Sequence, residues 1–402
     1  MSYARMLLGA GAGPLVAPTA TLKTLTAAGE GSWSNVDPRA FYYNGATYFT
    51  WTDGTSGDVG VSKYVHATGV VTSSTIAAAF DQDDHATPSV IVRTSDRRIV
   101  VAWSAHDGAS VYRWISTNPE DISAGTTANG GSSDYTYMTL VETANGVYWF
   151  FRQIVGGTGF LRYVKSTDGL TTWGSTVSLY TADTAGHVPY WRIGSDWNRY
   201  IHISTTNTEP NTSGSFLYHF YIDTNDDSLH KSDGTTISAG LPISSTDATL
   251  ITDGIASGGY CLSMGVCVQA SGNPAVMVRV GTGGQTDNSE RVARWTGSAW
   301  QVDEVYTTGG TFPGFVYTPG AAIHKTDADI VYGARKVSGH YEISKFVSPD
   351  SGTTWNETTL GSTDESFYPE TPVNAAPGLD AIWPSGSFTN DTSYNFGMEG
   401  YG

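Results

Sequence analysis

Short runs of β-branched and aromatic residues recur along the chain, at 40–51, 89–92, 99–103, 147–152, 200–204, 216–222, 274–280, 330–334 and 381–383. Clusters of Gly, Asn, Asp and Ser separate most of them. Apolar spacing with a helical period is nearly absent. Short strands at this spacing predict an all-β sandwich, barrel or propeller.

Repeated turns decide among these. Ser348-Pro349-Asp350-Ser351-Gly352-Thr353-Thr354-Trp355 fits the S-x-D-x-G-x-x-W pattern of an Asp-box hairpin turn. Ser166-Thr167-Asp168-Gly169-Leu170-Thr171-Thr172-Trp173 is the same motif with glycine one place early. Arg294-Trp295-Thr296-Gly297-Ser298-Ala299-Trp300 reads as a shortened version. In such a turn the Ser and Asp side chains bond turn amides, glycine takes a positive φ, and Trp packs under the hairpin. A repeated unit of this kind predicts a β-propeller. Seven units would average about 57 residues each, a reasonable blade with its loops. The expectation is therefore a seven-bladed all-β propeller over 22–402, preceded by a flexible Gly/Ala/Pro-rich leader over 1–21. The stretch from Ser366 to Gly402 has strand character in its first half and would complete a blade begun by the N-terminus. The Asp-boxes themselves are expected to be fold elements away from any active site.

Composition narrows the function. The 402 residues are 39% hydrophobic but only 15% charged, with a formal net charge of −17. Such a chain has no general affinity for nucleic acid or an anionic membrane. An acidic ligand would need a local basic pocket. No apolar run is long enough to span a membrane, and the first residues lack the apolar core of a secretory signal. Cys261 and Cys267 are too few for a disulfide framework. On one strand they would face the same way and not bridge each other.

Polar residues that interrupt the apolar pattern at strand ends are the candidates for chemistry. Asp83-Asp84-His85 precedes the strand at 89–92, and His106-Asp107 ends the next one. A hairpin across 93–98 would bring His85 and His106 together. With no third ligand near them in sequence, a metal pair is not expected. Tyr135-Thr136-Tyr137 opens the strand pair that leads to Arg152. An inward Arg152 needs an anion partner. Tyr190 and Arg192 follow in a fourth cluster, with Asn207 in the loop beyond the next strand. His202 and His219 read as satisfied core histidines.

The order of these pieces resembles the BNR-repeat propellers that include the ulvan lyase families of polysaccharide lyases. The matching pieces are Asp83-Asp84-His85, Trp103-Ser104-Ala105-His106, Ser116-Thr117-Asn118-Pro119-Glu120-Asp121-Ile122-Ser123, Thr136-Tyr137, Trp149-Phe150-Phe151-Arg152 and Pro189-Tyr190. The chain departs from the family pattern at Ala86, Met138, Asn207 and Ser289-Glu290. The last departure weakens the carry-over of a structural zinc site.

The resemblance implies β-elimination on a uronate-containing acidic polysaccharide, acting outside a cell and requiring no cofactor. His85 and Tyr137 would serve as base and acid in an order left open. Arg152 would neutralise the substrate carboxylate, and His106, Tyr190 and Asn207 would bind the sugar. The alternatives are a non-catalytic glycan-binding propeller, such as a receptor-binding part of a phage tail, and a glycoside hydrolase. The hydrolase would need two carboxylates. Asp83, Asp84 and Asp107 are available but read as turn and supporting groups.

Overall fold

The computed structural model describes residues 21–27, 30–31, 37–131, 134–210, 214–252, 259–281, 288–310, 319–361, 364–390 and 393–402. The expected leader, apart from Thr21, lies outside them. The described residues form a seven-bladed β-propeller with almost no helix. Each blade is an antiparallel sheet running from the axis outward. The first holds Ala40–Tyr43, Ala46–Thr52, Val59–Val65 and Val70–Ala77. The second holds Ser89–Val92, Ile99–Ser104, Val111–Ser116 and Gly125–Gly130, and the third Tyr135–Thr143, Gly146–Val155, Thr158–Ser166 and Val177–Thr181. The fourth begins with Trp191–Ser195, Tyr200–Thr206 and Leu217–Asp223, the fifth with Tyr260–Val268 and Pro274–Gly281, and the sixth with Ala321–Ile323 and Ile330–Val337.

The seventh blade closes the ring. Its strands Glu365–Ser366, Ala381–Asn390 and Ser393–Tyr401 are joined by Leu22–Thr24, whose Leu22 pairs with Tyr401. Closure hides a strand edge that would otherwise stay open. The expected strand character extends beyond the first half of this stretch, because Ser393–Tyr401 is the strand the N-terminus pairs with. Its Gly, Asn and Glu residues concealed it.

Inner strands are covered by blades on both faces, so they read as unbroken apolar runs rather than alternating ones. Ser89–Val92 and Ile99–Ser104 are buried throughout. The outermost Gly125–Gly130 is exposed throughout and polar or glycine-rich. Two local readings change. The run 40–51 is a hairpin, not one strand: Asn44 (φ 47°) and Gly45 (φ 82°) make the tight turn that such a pair favours. Cys261 and Cys267 share a strand and form no disulfide with each other, but they face opposite sides. A bulge between Ser263 and Gly265 shifts the register and reverses the alternation.

The segments 166–173 and 348–355 are turns held by local side-chain hydrogen bonds. Ser166 Oγ donates to Asp168 Oδ1 at 3.0 Å, and the Thr172 amide donates to the same carboxylate at 3.0 Å. In the sixth blade, the Gly352 amide donates to Ser348 Oγ and the Thr354 amide to Asp350 Oδ1. Both central positions of each turn have positive φ, at Gly169 and Leu170 and at Ser351 and Gly352. Either position therefore accommodates the glycine, which accounts for its early placement in the first box. Each box joins the third and fourth strands of its blade. That is the edge opposite the starts of first strands and the ends of second strands.

Candidate active site

The start of a first strand and the end of a second strand lie on the same edge of an antiparallel blade. His85, Tyr137 and Tyr190 sit at or just before first strands. His106 and Arg152 sit at or just beyond the ends of second strands. Five of the six expected residues thus come from blades two, three and four onto one face of the propeller, and ring contacts link them.

His85 lies in a short 3-10 turn, Asp84–Ala86, capped by Asp83. The Asp83 carboxylate accepts the His85 amide at 2.9 Å and also contacts His85 Nδ1. Its other oxygen is 3.2 Å from His106 Nδ1. Asp84 Oδ1 is 2.7 Å from His85 Nδ1. The two imidazoles stack with centroids 3.7 Å apart and planes 6° from parallel. Both Nδ1 atoms are committed to carboxylates, which leaves Nε2 of His85 for a substrate. Burial disfavours the His85 cation, but Asp84 and then Asp83 overcome this and push it up to about 10. His85 is an imidazolium at neutral pH. Burial works against the Asp83 anion too, yet hydrogen bonds to His106 and His85 hold it well below the usual carboxylate range. Burial pushes Asp84 up to about 6, against the pull of His85.

Tyr137 reaches the site through a bulge. Thr136 pairs with Arg152 and Thr139 with Phe150, so Tyr137 and Met138 together oppose one residue. Tyr137 takes φ 60°, a costly value for a bulky side chain, and the kink turns its ring toward His85. The ring centroids are 5.2 Å apart. Tyr190 follows at 5.7 Å from Tyr137. Its amide donates to Thr206 Oγ1 at 2.9 Å, and its carbonyl accepts the Thr206 amide at 2.8 Å.

Arg152 has its anion partner. Its side chain is 3% exposed, and Nη2 donates to Asp107 Oδ1 at 2.9 Å and to Thr136 Oγ1 at 3.2 Å. Its guanidinium carbon lies 4.9 Å from the Tyr137 ring centre and 5.9 Å from that of Tyr190. Burial opposes its charge, but Tyr137, Tyr190 and Asp107 raise its pKa further. Burial likewise disfavours the Asp107 anion, and Arg152 lowers it below the ordinary value.

Asn207 stands one residue beyond Thr206, and its Oδ1 accepts the Phe216 amide at 2.8 Å. No hydrogen bond joins it to the five-residue cluster among the described residues. Sequence reasoning placed Asp83, Asp84 and Asp107 as supporting groups without seeing which partners they serve. Asp83 bridges two histidines 21 positions apart, a link visible only after the hairpin forms. Asp83, His85 and His106 also have the spacing of a metal-ligand group among the described residues. Their fit is poor: a single ion cannot lie in the planes of two parallel stacked imidazoles.

The chain matches the profile of a BNR repeat-containing family member over residues 46–308. No curated protein matches it. It is similar to the structure of a polysaccharide lyase of a new family, a PL25 ulvan lyase, bound to -[GlcA(1-4)Rha3S]-. The TM-score is 0.76 at 17% identity, covering 93% of this chain and 94% of that one. It is also similar to the polysaccharide lyase Uly1, with a TM-score of 0.61 at 10% identity, covering 95% and 98% of the two chains. Both likenesses establish a common fold. No helix among the described residues is long and apolar enough to cross a membrane.

Proposed function

The chain belongs to the BNR repeat-containing family, and from that premise we propose that it is a polysaccharide lyase cleaving a uronate-containing acidic polysaccharide by β-elimination. The observation that carries the reading is the convergence of His85, His106, Tyr137, Arg152 and Tyr190 on one face, with the Arg152 guanidinium beside Tyr137 and two carboxylates beside His85. The lyases that share the fold support it.

In this reaction the C5 proton leaves, its electron pair forms the C4–C5 double bond, and the bond from C4 to the leaving oxygen breaks. That oxygen takes up a proton. The C5–H bond is only weakly acidic, so the developing negative charge on the uronate needs stabilising donors. The carboxylates that raise the His85 pKa favour one order of roles. An imidazolium cannot accept the C5 proton, so His85 is the acid that protonates the leaving oxygen through Nε2. The Tyr137 oxygen is the base, and Arg152 beside it stabilises negative charge there and on the substrate carboxylate. Asp107 offsets part of the Arg152 charge, as Asp83 and Asp84 offset that of His85, so the uronate is stabilised by the directed N–H donors of these two groups rather than by net positive charge. His106 stacks on His85 and fixes its plane. Tyr190 lines the sugar site, and Asn207 offers Nδ2 to a sugar hydroxyl. A polymer of this kind places the activity outside a cell.

A hydrolase needs two free carboxylates. Asp83, Asp84 and Asp107 are instead held by His85, His106 and Arg152. The test is ultraviolet absorbance during incubation with a panel of uronate polysaccharides that includes ulvan. A rising signal from the unsaturated product is expected. No signal from any member would overturn the reading, and retention of the glycan without turnover would favour a binding propeller.

A further inference from the structure

On the face of blade three opposite Arg152, a groove runs between the outer halves of the second and third blades. Trp149 and Phe151 alternate with Tyr148, Phe150 and Arg152 along one strand, so they point to the other side. They floor a cavity of about 210 Å³ together with Tyr135 and Trp173. A second cavity of about 340 Å³ continues toward the Asp-box edge and is lined by Arg93 and Arg98. Arg113 and Ala128 line both. The pair has the scale of a small-ligand site.

The electrostatics of this groove are unbalanced. Asp96 serves two arginines, Arg93 through Nε at 2.8 Å and Arg98 at 3.6 Å. Arg113 has no carboxylate partner among the described residues, and its Nε and Nη1 are buried without a hydrogen bond. Its guanidinium lies 5.5 Å from the Trp173 ring centre. Burial, then the neighbouring Arg93, lowers its pKa. The other complete Asp-box shows the neutralised counterpart. Arg294 lies 5.5 Å from Trp355, and its Nη2 donates to Asp329 at 2.9 Å. Arg113 thus stands unneutralised within a chain whose net charge is −17. Paired with an aromatic floor, it suits a ring-shaped ligand that carries an anion.

We propose that this groove is a second saccharide-binding site, which holds a pyranose residue bearing a carboxylate or sulfate on the aromatic floor with its anion toward Arg113 and Arg98. That the residue belongs to the substrate polymer rests on the lyase reading. The anionic-sugar chemistry of the groove does not. Such a site would keep a long polymer on the enzyme while the face bearing His85 acts on another stretch of it.

The test is affinity electrophoresis in the Tyr137→Phe background, so that no polymer is consumed. The gels contain ulvan (carboxylate and sulfate), polygalacturonate (carboxylate alone) or dextran (neutral). Arg113→Gln probes the buried cation, and Arg98→Glu, at a side chain 43% exposed, probes the rim with little risk to folding. Each is expected to weaken retardation by an acidic polymer about tenfold, the effect of one charge-assisted contact. Loss in both acidic gels assigns a carboxylate, and loss in ulvan alone a sulfate. In the Tyr137-containing enzyme, neither variant is expected to change the rate on a short oligosaccharide. Retardation equal to the parent's in both acidic gels, a parent that no acidic polymer retards, or equal retardation by dextran would overturn the proposal. Retardation that depends on Arg98 in a protein without lyase activity would leave the groove standing and remove only the lyase reading.

Discussion

At Asp83 one carboxylate faces two imidazoles, and that contact sets the chemistry of the site. With Asp84 it pushes the His85 pKa up to about 10 against the effect of burial. If His85 is the acid, activity falls on the alkaline side as that proton is lost. Asp83→Asn removes one of the two anions, so the alkaline limb of kcat/KM should move to lower pH while the protein stays folded. A limb that stays in place in this variant would separate Asp83 from the acid role of His85. Tyr137→Phe deletes the proposed base, and a loss of about 10²–10⁴ in kcat is expected, measured as initial rate of unsaturated product. Much of this was legible in the sequence. The hairpin across 93–98 brings His85 and His106 together, and the family resemblance adds Tyr137, Arg152 and Tyr190 to them. The positive φ of Tyr137 was not legible, because nothing in Tyr135-Thr136-Tyr137-Met138 marks a bulge. The Asp83 bridge needed the hairpin to bring position 106 back to position 83.

Among elements, the hairpin turns and the ring closure carry the fold. Turn chemistry was readable because it is local: Asp168 and Asp350 bond amides within four residues of themselves. The opposing faces of Cys261 and Cys267 were not, since a one-residue bulge leaves no clear mark in composition. Closure depends on a contact between chain ends. Leu25, which follows the closing strand, is 3% exposed and packs with Leu379, Ile382 and Met398. Leu25→Ala is expected to destabilise the protein by about 2–5 kcal/mol, seen as a lower midpoint in denaturant unfolding. An unchanged midpoint would show that the N-terminal strand is not part of the cooperative unit.

Over the whole molecule, charge is gathered inside as well as outside. Near the axis Lys325 Nζ bonds Asp37 at 2.6 Å and lies 3.4 Å from Glu370. These ion pairs join loops of blades one, six and seven, and no sequence pattern predicts them because their partners lie up to 288 positions apart. Two buried histidines behave differently. His202 Nδ1 and His219 Nε2 are 3.1 Å apart inside blade four, and burial lowers His202 to about 4 and His219 well below its ordinary value. Their folded pKa values lie below the unfolded one of about 6.5. The unfolded chain therefore binds more protons in between, and stability present above about pH 6.5 is lost as pH falls through about 4. Thermal midpoints should drop over that interval, and less steeply in His202→Gln. The same slope in both proteins would assign the acid loss to other groups.

If one face of this propeller breaks a glycosidic linkage by elimination, the product masses must show it. The mass spectrum of the products from a defined uronate oligosaccharide tests it most directly. Elimination adds no water, so the account predicts two fragments whose masses sum to that of the intact chain, one of them carrying an unsaturated uronate. Fragments that together exceed the intact chain by one water would show hydrolysis and contradict it.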